Sequence, residues 1–216
     1  MTHRSYVPAL GFDRLTRFYD PLVALTLREK TLKGRLIDQA GISPGHDVLD
    51  VGCGTGTLAI LAKQRAPAAR VVGLDGDPRV LEIARRKIAA AGLDVTLREG
   101  LADDAELFAP ASFDRILTSF VLHHLTPEER RAAFAAMRRW LRPGGRLHVL
   151  DFGAQGHSPL GLVTRAFGRL HGAARLEDNL AGRLPERMAE AGFRAVRETG
   201  RALTPFGRVS FYGALS

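Results

Sequence analysis

Three glycines at alternate positions, Gly52, Gly54 and Gly56, break the apolar run VLDVGCGTG that extends from Val48 to Gly56. A strand that ends in such a turn and feeds a helix offers backbone N–H groups and a helix N-terminus to a ligand, and glycine lets that ligand lie against the main chain. Asp50 sits inside the turn, and Asp75 follows Gly56 by 19 residues, where an acidic side chain in such folds accepts hydrogen bonds from ribose hydroxyls. Further along, His123 and His124 form an adjacent pair with the chemistry of a general base for an acceptor hydroxyl or activated carbon. The plainer reading of the pair is one imidazole bonded to the next helix and one in solvent. Cys53 is the single cysteine, which excludes an intramolecular disulfide framework and a multi-cysteine zinc site. No cluster of Cys or carboxylates accompanies the histidines, so no metal site is expected.

Spacing narrows the ligand. A dinucleotide fingerprint needs G-x-G-x-x-G, but position 57 here is Thr57. The P-loop pattern G-x-x-x-x-G-K-[ST] is also absent. Asp50 would set an anion beside a ligand phosphate and suits a cationic amine instead. A nucleoside carrying an amino acid, with a sulfonium at the junction, meets these requirements.

The elements that must position these residues alternate along the chain. DVLDVG, RVVGLD, DVTLREG, FDRILTS and GRLHVLD are short strand patterns, separated by helical patterns such as TLAILAKQRA, PRVLEIARRKIAAA and EERRAAFAAMRRWL. That order predicts an α/β fold with a mostly parallel sheet covered by helices on both faces. Thr126, Pro127 and Glu129 supply a helix N-cap, a first-turn proline and a capping-box carboxylate, and Arg142-Pro143-Gly144-Gly145 ends that helix before the fifth strand. FRAVRETG and GRVSFYGAL predict a closing antiparallel pair. The segment SPLGLVTRAFGRLHG, from Ser158 to Gly172, places Leu160, Val163, Phe167 and Leu170 on one helical face, as a core-packed helix, a substrate-facing lid or an interfacial helix would.

Composition sets the outer bounds. At 216 residues, 45% hydrophobic and 25% charged, the chain has the size of a single ordered domain. No apolar run reaches the roughly 20 residues of a spanning helix, and the first residues lack a secretory signal pattern, so a cytoplasmic location is expected. The formal net charge is +8, but the basic residues are dispersed and only Lys30, Lys33, Lys63 and Lys87 are lysines. Peripheral contact with an anionic membrane stays open on this charge. Oligomeric state is not legible.

Taken in succession, VLDVGCGTG, VVGLDGDP, SFDRILTSFVLHHL and LRPGGRLHVLDFG resemble the ordered motifs of class I S-adenosylmethionine-dependent methyltransferases over about residues 45–153. Within that superfamily the chain is similar to the ubiquinone/menaquinone biosynthesis methyltransferases, through Tyr19-Asp20 and Ser119-Phe120. The resemblance implies a Rossmann-like seven-stranded sheet with an antiparallel last strand in one domain over 1–216. A helical lid is expected at 12–40, the cofactor core at 45–153, an acceptor-side helical insertion at 157–191 and a strand pair at 192–216. It further implies that Asp50, Gly52, Gly54, Thr55 and Gly56 line the methionyl end of S-adenosyl-L-methionine, with Asp75 on the ribose and Gly76 beside the adenine. The family's Gly-Asp-Ala stretch reads Gly100-Leu101-Ala102-Asp103 here, which assigns the adenine edge to Leu101, the Ala102 N–H and Asp103. Ser119 is expected near the reactive methyl, and Tyr19 as a cover.

The implied reaction is in-line displacement at the methyl, giving S-adenosyl-L-homocysteine and a methylated small, lipophilic or aromatic acceptor. Nucleic acid is disfavoured, because Thr118-Ser119-Phe120-Val121 stands where amino-methylating enzymes carry Asn/Asp-Pro-Pro-Tyr. A phospholipid or membrane-surface methyltransferase, a nucleotide-dependent oxidoreductase and a non-catalytic cofactor-binding module are the alternatives.

Overall fold

The structure, a computed structural model, describes residues 29–155, 178–204 and 207–216. Helix α1 (Glu29–Ala40) leads into the alternating core: β1 (Asp47–Val51), α2 (Thr57–Arg65), β2 (Arg70–Asp75), α3 (Pro78–Ala90), β3 (Thr96–Glu99) and β4 (Phe113–Ser119). Then follow α4 (Pro127–Trp140), β5 (Leu141–Phe152), α5 (Leu184–Glu190), β6 (Arg194–Thr204) and β7 (Gly207–Leu215). The strands form one seven-stranded sheet in the order β3-β2-β1-β4-β5-β7-β6. β1 to β5 run parallel, while β7 is antiparallel to both β5 and β6. The expected α/β class and antiparallel closing pair are both present.

Alternation along the strands divides the core between the sheet's two faces. Leu49, Val51, Ile116, Leu147 and Val149 pack with Phe134, Met137 and Trp140 of α4 and with Leu184 and Met188 of α5. Val48, Leu117, Leu150 and Phe211 pack on the other face with Leu32, Leu36 and Ile37 of α1 and with Leu58 and Ala62 of α2. At the amino ends of the strands, Asp47 bonds Arg70 at 2.5 and 2.6 Å and Arg142 at 2.7 Å, while Arg142 also reaches Asp114 at 2.5 Å. These ion pairs join the ends of β1, β2, β4 and β5 at the edge opposite the glycine turn.

Local chemistry sets the helix starts as the sequence predicts. Thr126 Oγ1 accepts the Glu129 N–H at 3.2 Å, and Glu129 Oε2 accepts the Thr126 N–H at 2.8 Å, a complete capping box with Pro127 in the first turn. Asp77 Oδ1 accepts the Arg79 N–H at 2.8 Å and caps α3. The Arg142-Pro143-Gly144-Gly145 stretch behaves differently from expectation. β5 already begins at Leu141, which pairs with Phe113, and pairing resumes at Arg146 opposite Arg115. The four residues bulge from the strand rather than precede it, with Gly144 in the left-handed region at φ 78°. β6 is also longer than the predicted run, because pairing with β7 continues to Thr204 opposite Gly207. Residues 1–28, with Tyr19-Asp20, and the predicted helix at 158–172 lie outside the described residues.

Two buried polar features constrain stability. Arg130 of α4 is only 1% exposed, and its guanidinium donates to Asp178 Oδ2 at 2.9 Å and to the carbonyls of Leu122 and Leu125 at 3.1 Å each. His148 of β5 is 5% exposed, and neither ring nitrogen has a hydrogen-bond partner among the described residues. Burial and the nearby Arg115, Arg146 and Arg197 push its pKa down to about 4.

Replacing Asp178 by Leu leaves the Arg130 guanidinium buried without its carboxylate, and should cost about 3–5 kcal/mol in urea unfolding. An Asp178→Leu/Arg130→Met double variant should recover part of that loss. For His148, the unfolded chain binds the proton near pH 6.5 and the folded chain near 4. Acidification through that window should therefore destabilise the protein, by about 3 kcal/mol at most. The difference in urea midpoint between His148→Leu and the parent should then widen in the variant's favour from pH 7 to 4; a constant difference would remove His148 as the cause.

Candidate active site

The turn after β1 is fastened to the end of β2. The Leu74 carbonyl accepts the N–H groups of Gly52 at 2.8 Å and Cys53 at 2.9 Å, and Asp75 Oδ2 accepts the Gly54 N–H at 2.8 Å. Asp75 Oδ1 also accepts the Asp77 N–H at 3.0 Å, and the Asp75 carbonyl accepts the Gly100 N–H at 3.0 Å. The ends of β1, β2 and β3 thus form one connected rim at the carboxyl edge of the sheet.

All three turn glycines occupy the left-handed region, at φ 68° for Gly52, 54° for Gly54 and 80° for Gly56, but their surroundings differ. A Cβ on Gly52 would lie 2.3 Å from Val121 Cγ2, and one on Gly56 would lie 3.1 Å from Ala84 Cβ. Those two glycines make room for the protein itself. Gly54 has no described atom within 4 Å of that position and is the glycine whose face is open to a ligand.

Asp50 is 1% exposed, and among the described residues neither carboxylate oxygen accepts a hydrogen bond of full geometry, the Ala59 amide acting on it only weakly. Burial is the main cause that pushes its pKa up to about 7; Asp75 adds to the rise, while Lys33 and the Ala59 amide oppose it. Lys33 lies on α1, is 8% exposed and pairs with Glu29. Burial likewise raises the Asp75 pKa, against the Asp77 and Gly54 N–H groups. A buried carboxylate with no partner is costly, and a cationic group beside it would remove that cost. Among the described residues, no group of three His, Cys, Asp or Glu side chains is arranged to hold a metal.

The remaining sequence-predicted residues distribute around this rim. Thr55 Oγ1 is held by Lys87 Nζ of α3 at 2.9 Å, and the same ammonium reaches Thr57 Oγ1 at 3.0 Å. Gly76 lies between Asp75 and the Asp77 cap. Leu101 is 39% exposed, Ala102 packs its side chain on the core, and the carbonyl of Leu101 accepts the Asp104 N–H at 3.2 Å, making a turn that contains Asp103. Ser119 is buried at the end of β4. Cys53 is buried, and its Sγ lies 2.9 Å from where a Gly73 Cβ would be, so it fills the turn; burial raises its thiol pKa.

After Ser119 the chain turns sharply. Phe120 adopts φ 59°, a strained value for a bulky residue, while its N–H donates to the Leu150 carbonyl at 2.8 Å. Its ring meets Phe152 at 6.1 Å, and Phe152 meets His123 edge-on at 5.0 Å. His123 and His124 lie in the short helical turn Leu122–His124, with ring centroids 4.0 Å apart. His123 Nδ1 is 2.8 Å from Asp151 Oδ1, and Asp151 also accepts the N–H groups of Leu122 at 2.9 Å and Phe152 at 2.7 Å. Asp151 is fully buried; burial alone would raise its pKa, but His123 and the Phe152 N–H hold it below the usual carboxylate value.

Asp151, Arg130, Lys33 and Lys87 are the site-shaping residues that sequence reasoning did not find. Asp151 carried one signal, its place at the end of GRLHVLD, the strand beside FDRILTS. The other three belong to amphipathic helices and read as ordinary surface charges.

Residues 48–145 match the family model described as "Methyltransferase domain". The demethylmenaquinone methyltransferase of Thermus thermophilus is 40% identical over 134 residues, 62% of this chain and 59% of that protein. The ubiquinone/menaquinone biosynthesis C-methyltransferase of Cupriavidus taiwanensis is 38% identical over 118 residues, 54% of this chain and 47% of that protein. The chain thus spans about half the length of these curated relatives. The phosphoethanolamine N-methyltransferase 2 of Haemonchus contortus, solved with S-adenosyl-L-methionine, shares the fold at TM-score 0.75 and 15% identity, over 97% of this chain and 58% of that one. The ordered motifs, the seven-stranded sheet and the matched family model together identify residues 48–145 as a class I methyltransferase domain, in a chain that resembles the ubiquinone/menaquinone biosynthesis methyltransferases.

Proposed function

We propose that this chain is an S-adenosyl-L-methionine-dependent methyltransferase acting on a small lipophilic or aromatic acceptor. The observation that carries the reading is Asp50: a fully buried carboxylate that accepts no hydrogen bond of full geometry among the described residues, beside a glycine turn whose Gly54 face is open and within the field of a second carboxylate on the next strand. That arrangement fits a nucleoside with a cationic α-amino group. When bound, S-adenosyl-L-methionine supplies a methyl made electrophilic by the sulfonium.

The chain's own residues then divide the work. Asp50 balances the amine, and Gly52, Gly54, Thr55 and Gly56 shape the wall along the methionyl end. Asp75, already oriented by the Gly54 and Asp77 N–H groups, faces the ribose. Gly76, Leu101, Ala102 and Asp103 flank the adenine, with the exposed Leu101 offering an apolar surface. Ser119 borders the methyl; Tyr19, expected as a cover, lies outside the described residues. Because charge leaves sulfur on the way to the in-line transition state, alignment and exclusion of water are the main contributions. His123 takes the proton when the acceptor enters as a hydroxyl or activated carbon. The half-buried rings of Phe120, Phe152 and His123 support an acceptor with apolar, planar character. The quinone-pathway names of the demethylmenaquinone and ubiquinone/menaquinone relatives agree with that class.

Incubation with methyl-labelled S-adenosyl-L-methionine and a whole-cell extract, followed by solvent partition, tests the reading. Label should enter the organic phase and be lost with Asp75→Ala; label confined to the aqueous or macromolecular fraction would refute the acceptor class. Asp50 gives a second prediction. Its folded pKa of about 7 lies above the unfolded value of 3.8, so the native state holds more protons between them and loses stability as pH rises through that window. Asp50→Asn should therefore stabilise the ligand-free protein by a few kcal/mol at pH 8 and hardly at pH 3, while weakening cofactor binding tenfold or more. Calorimetric titration and urea midpoints at the two pH values measure both effects.

A further inference from the structure

We propose that Asp151 is a positioning residue: by accepting Nδ1–H of His123 it fixes the ring and its tautomer, leaving Nε2 as the unprotonated nitrogen that receives the acceptor's proton. The inference rests on the methyltransferase reading for its chemistry, but its geometry is independent of any acceptor.

Three features support it. The first is the bond itself, 2.8 Å from Nδ1 to Oδ1, made by a carboxylate with no exposure. An ionised carboxylate only accepts hydrogen bonds, so the nitrogen facing it must carry a proton and the neutral ring's other nitrogen must not. The second is the fixation of Asp151. Oδ1 also accepts the N–H of Phe152, and Oδ2 accepts the N–H of Leu122, so the carboxylate cannot rotate without losing backbone partners. The third is the clamp on the turn that carries the histidine. Arg130 binds the carbonyls of Leu122 and Leu125, which bracket His123 and His124, and is itself held by Asp178. The edge of Phe152 at 5.0 Å and the ring of His124 at 4.0 Å then limit tilting of the imidazole. A base held this firmly by rigid elements needs little reorganisation when it acts.

In the reaction, the acceptor's proton moves to Nε2 as its electron pair forms the new bond to the methyl carbon. The electron pair of the broken carbon–sulfur bond stays on sulfur. Nδ1–H remains on Asp151, which stabilises the imidazolium thus formed. A merely structural Asp151 would need only its two backbone bonds and would leave the imidazole tautomer unchanged on substitution.

Long-range 1H–15N correlation spectra of the uniformly 15N-labelled full chain at pH 8, without cofactor or acceptor, read the tautomer directly. The signals that vanish in His123→Gln identify the ring. The Nδ1–H form should predominate at least tenfold in the parent. In Asp151→Asn the ratio should move at least tenfold toward Nε2–H, with backbone amide shifts outside residues 119–125 and 150–153 retained. Predominance of Nε2–H in the parent, or an unchanged ratio in a folded Asp151→Asn protein, would overturn the proposal. With the labelled extract, Asp151→Asn should lower transfer at saturating S-adenosyl-L-methionine at least a hundredfold and leave cofactor affinity within threefold. Unchanged transfer would also overturn it. Absence of transfer by the parent, with the tautomer as expected, would instead count against the methyltransferase reading alone.

Discussion

The site depends on the stitch between the turn after β1 and the end of β2. A single carbonyl, that of Leu74, accepts two successive N–H groups of the turn, and the next side chain, Asp75, accepts a third from Gly54. This geometry is possible only because Gly52, Gly54 and Gly56 adopt left-handed backbone angles that a side chain would strain. The same carboxylate then leads into the cap of α3 through the Asp77 N–H, so Asp75 and the glycine turn form one connected unit. Lys87 extends the unit by joining α3 to Thr55 and Thr57.

A second constraint is the burial of ionisable groups on one row of the sheet. Asp50, Leu117, His148 and Gly213 lie side by side across β1, β4, β5 and β7. The imidazole lies against Gly213, 3.9 Å from where a Cβ would be, an ordinary packing distance. Asp50 and His148 each favour their neutral form when buried, so their effects on stability oppose one another as pH changes. The cost at Asp50 matches a cationic ligand, whereas His148 has Arg115, Arg146 and Arg197 around it and is ill suited to one. Equal burial therefore marks a candidate site in one case and a tolerated packing feature in the other.

The histidine turn shows a different solution to the same problem. Asp151 is as deeply buried as Asp50, yet its oxygens have three donors, which keep it ionised. Arg130 is compensated in the same manner by Asp178 and two backbone carbonyls. Satisfied buried charges of this kind give positional definition, while the unsatisfied Asp50 gives binding potential.

Much of this arrangement was legible in the chain alone, where the physics is local. Strand and helix periodicity ordered β1 to β5, the glycine spacing excluded the dinucleotide fingerprint, and Thr126, Pro127, Glu129 and Asp77 wrote their caps into neighbouring residues. Asp50 and Asp75 were legible because both lie in register with the glycines. Other features depended on partners far along the chain. The separate duties of the three glycines follow from Val121 and Ala84, which no spacing rule connects to them. Asp151 meets His123 across 28 residues only because β4 and β5 pair with Ser119 opposite Leu150. Arg130, 48 residues from Asp178, reads as a surface charge until packing removes it from water. Sequence by itself determined the elements, the turn and the ligand class that the turn suits, since neighbouring residues carry those signals. Tertiary structure alone decided which charges are buried, which are compensated and which imidazole nitrogen faces a carboxylate, because desolvation and hydrogen-bond partners arise only once distant segments pack together.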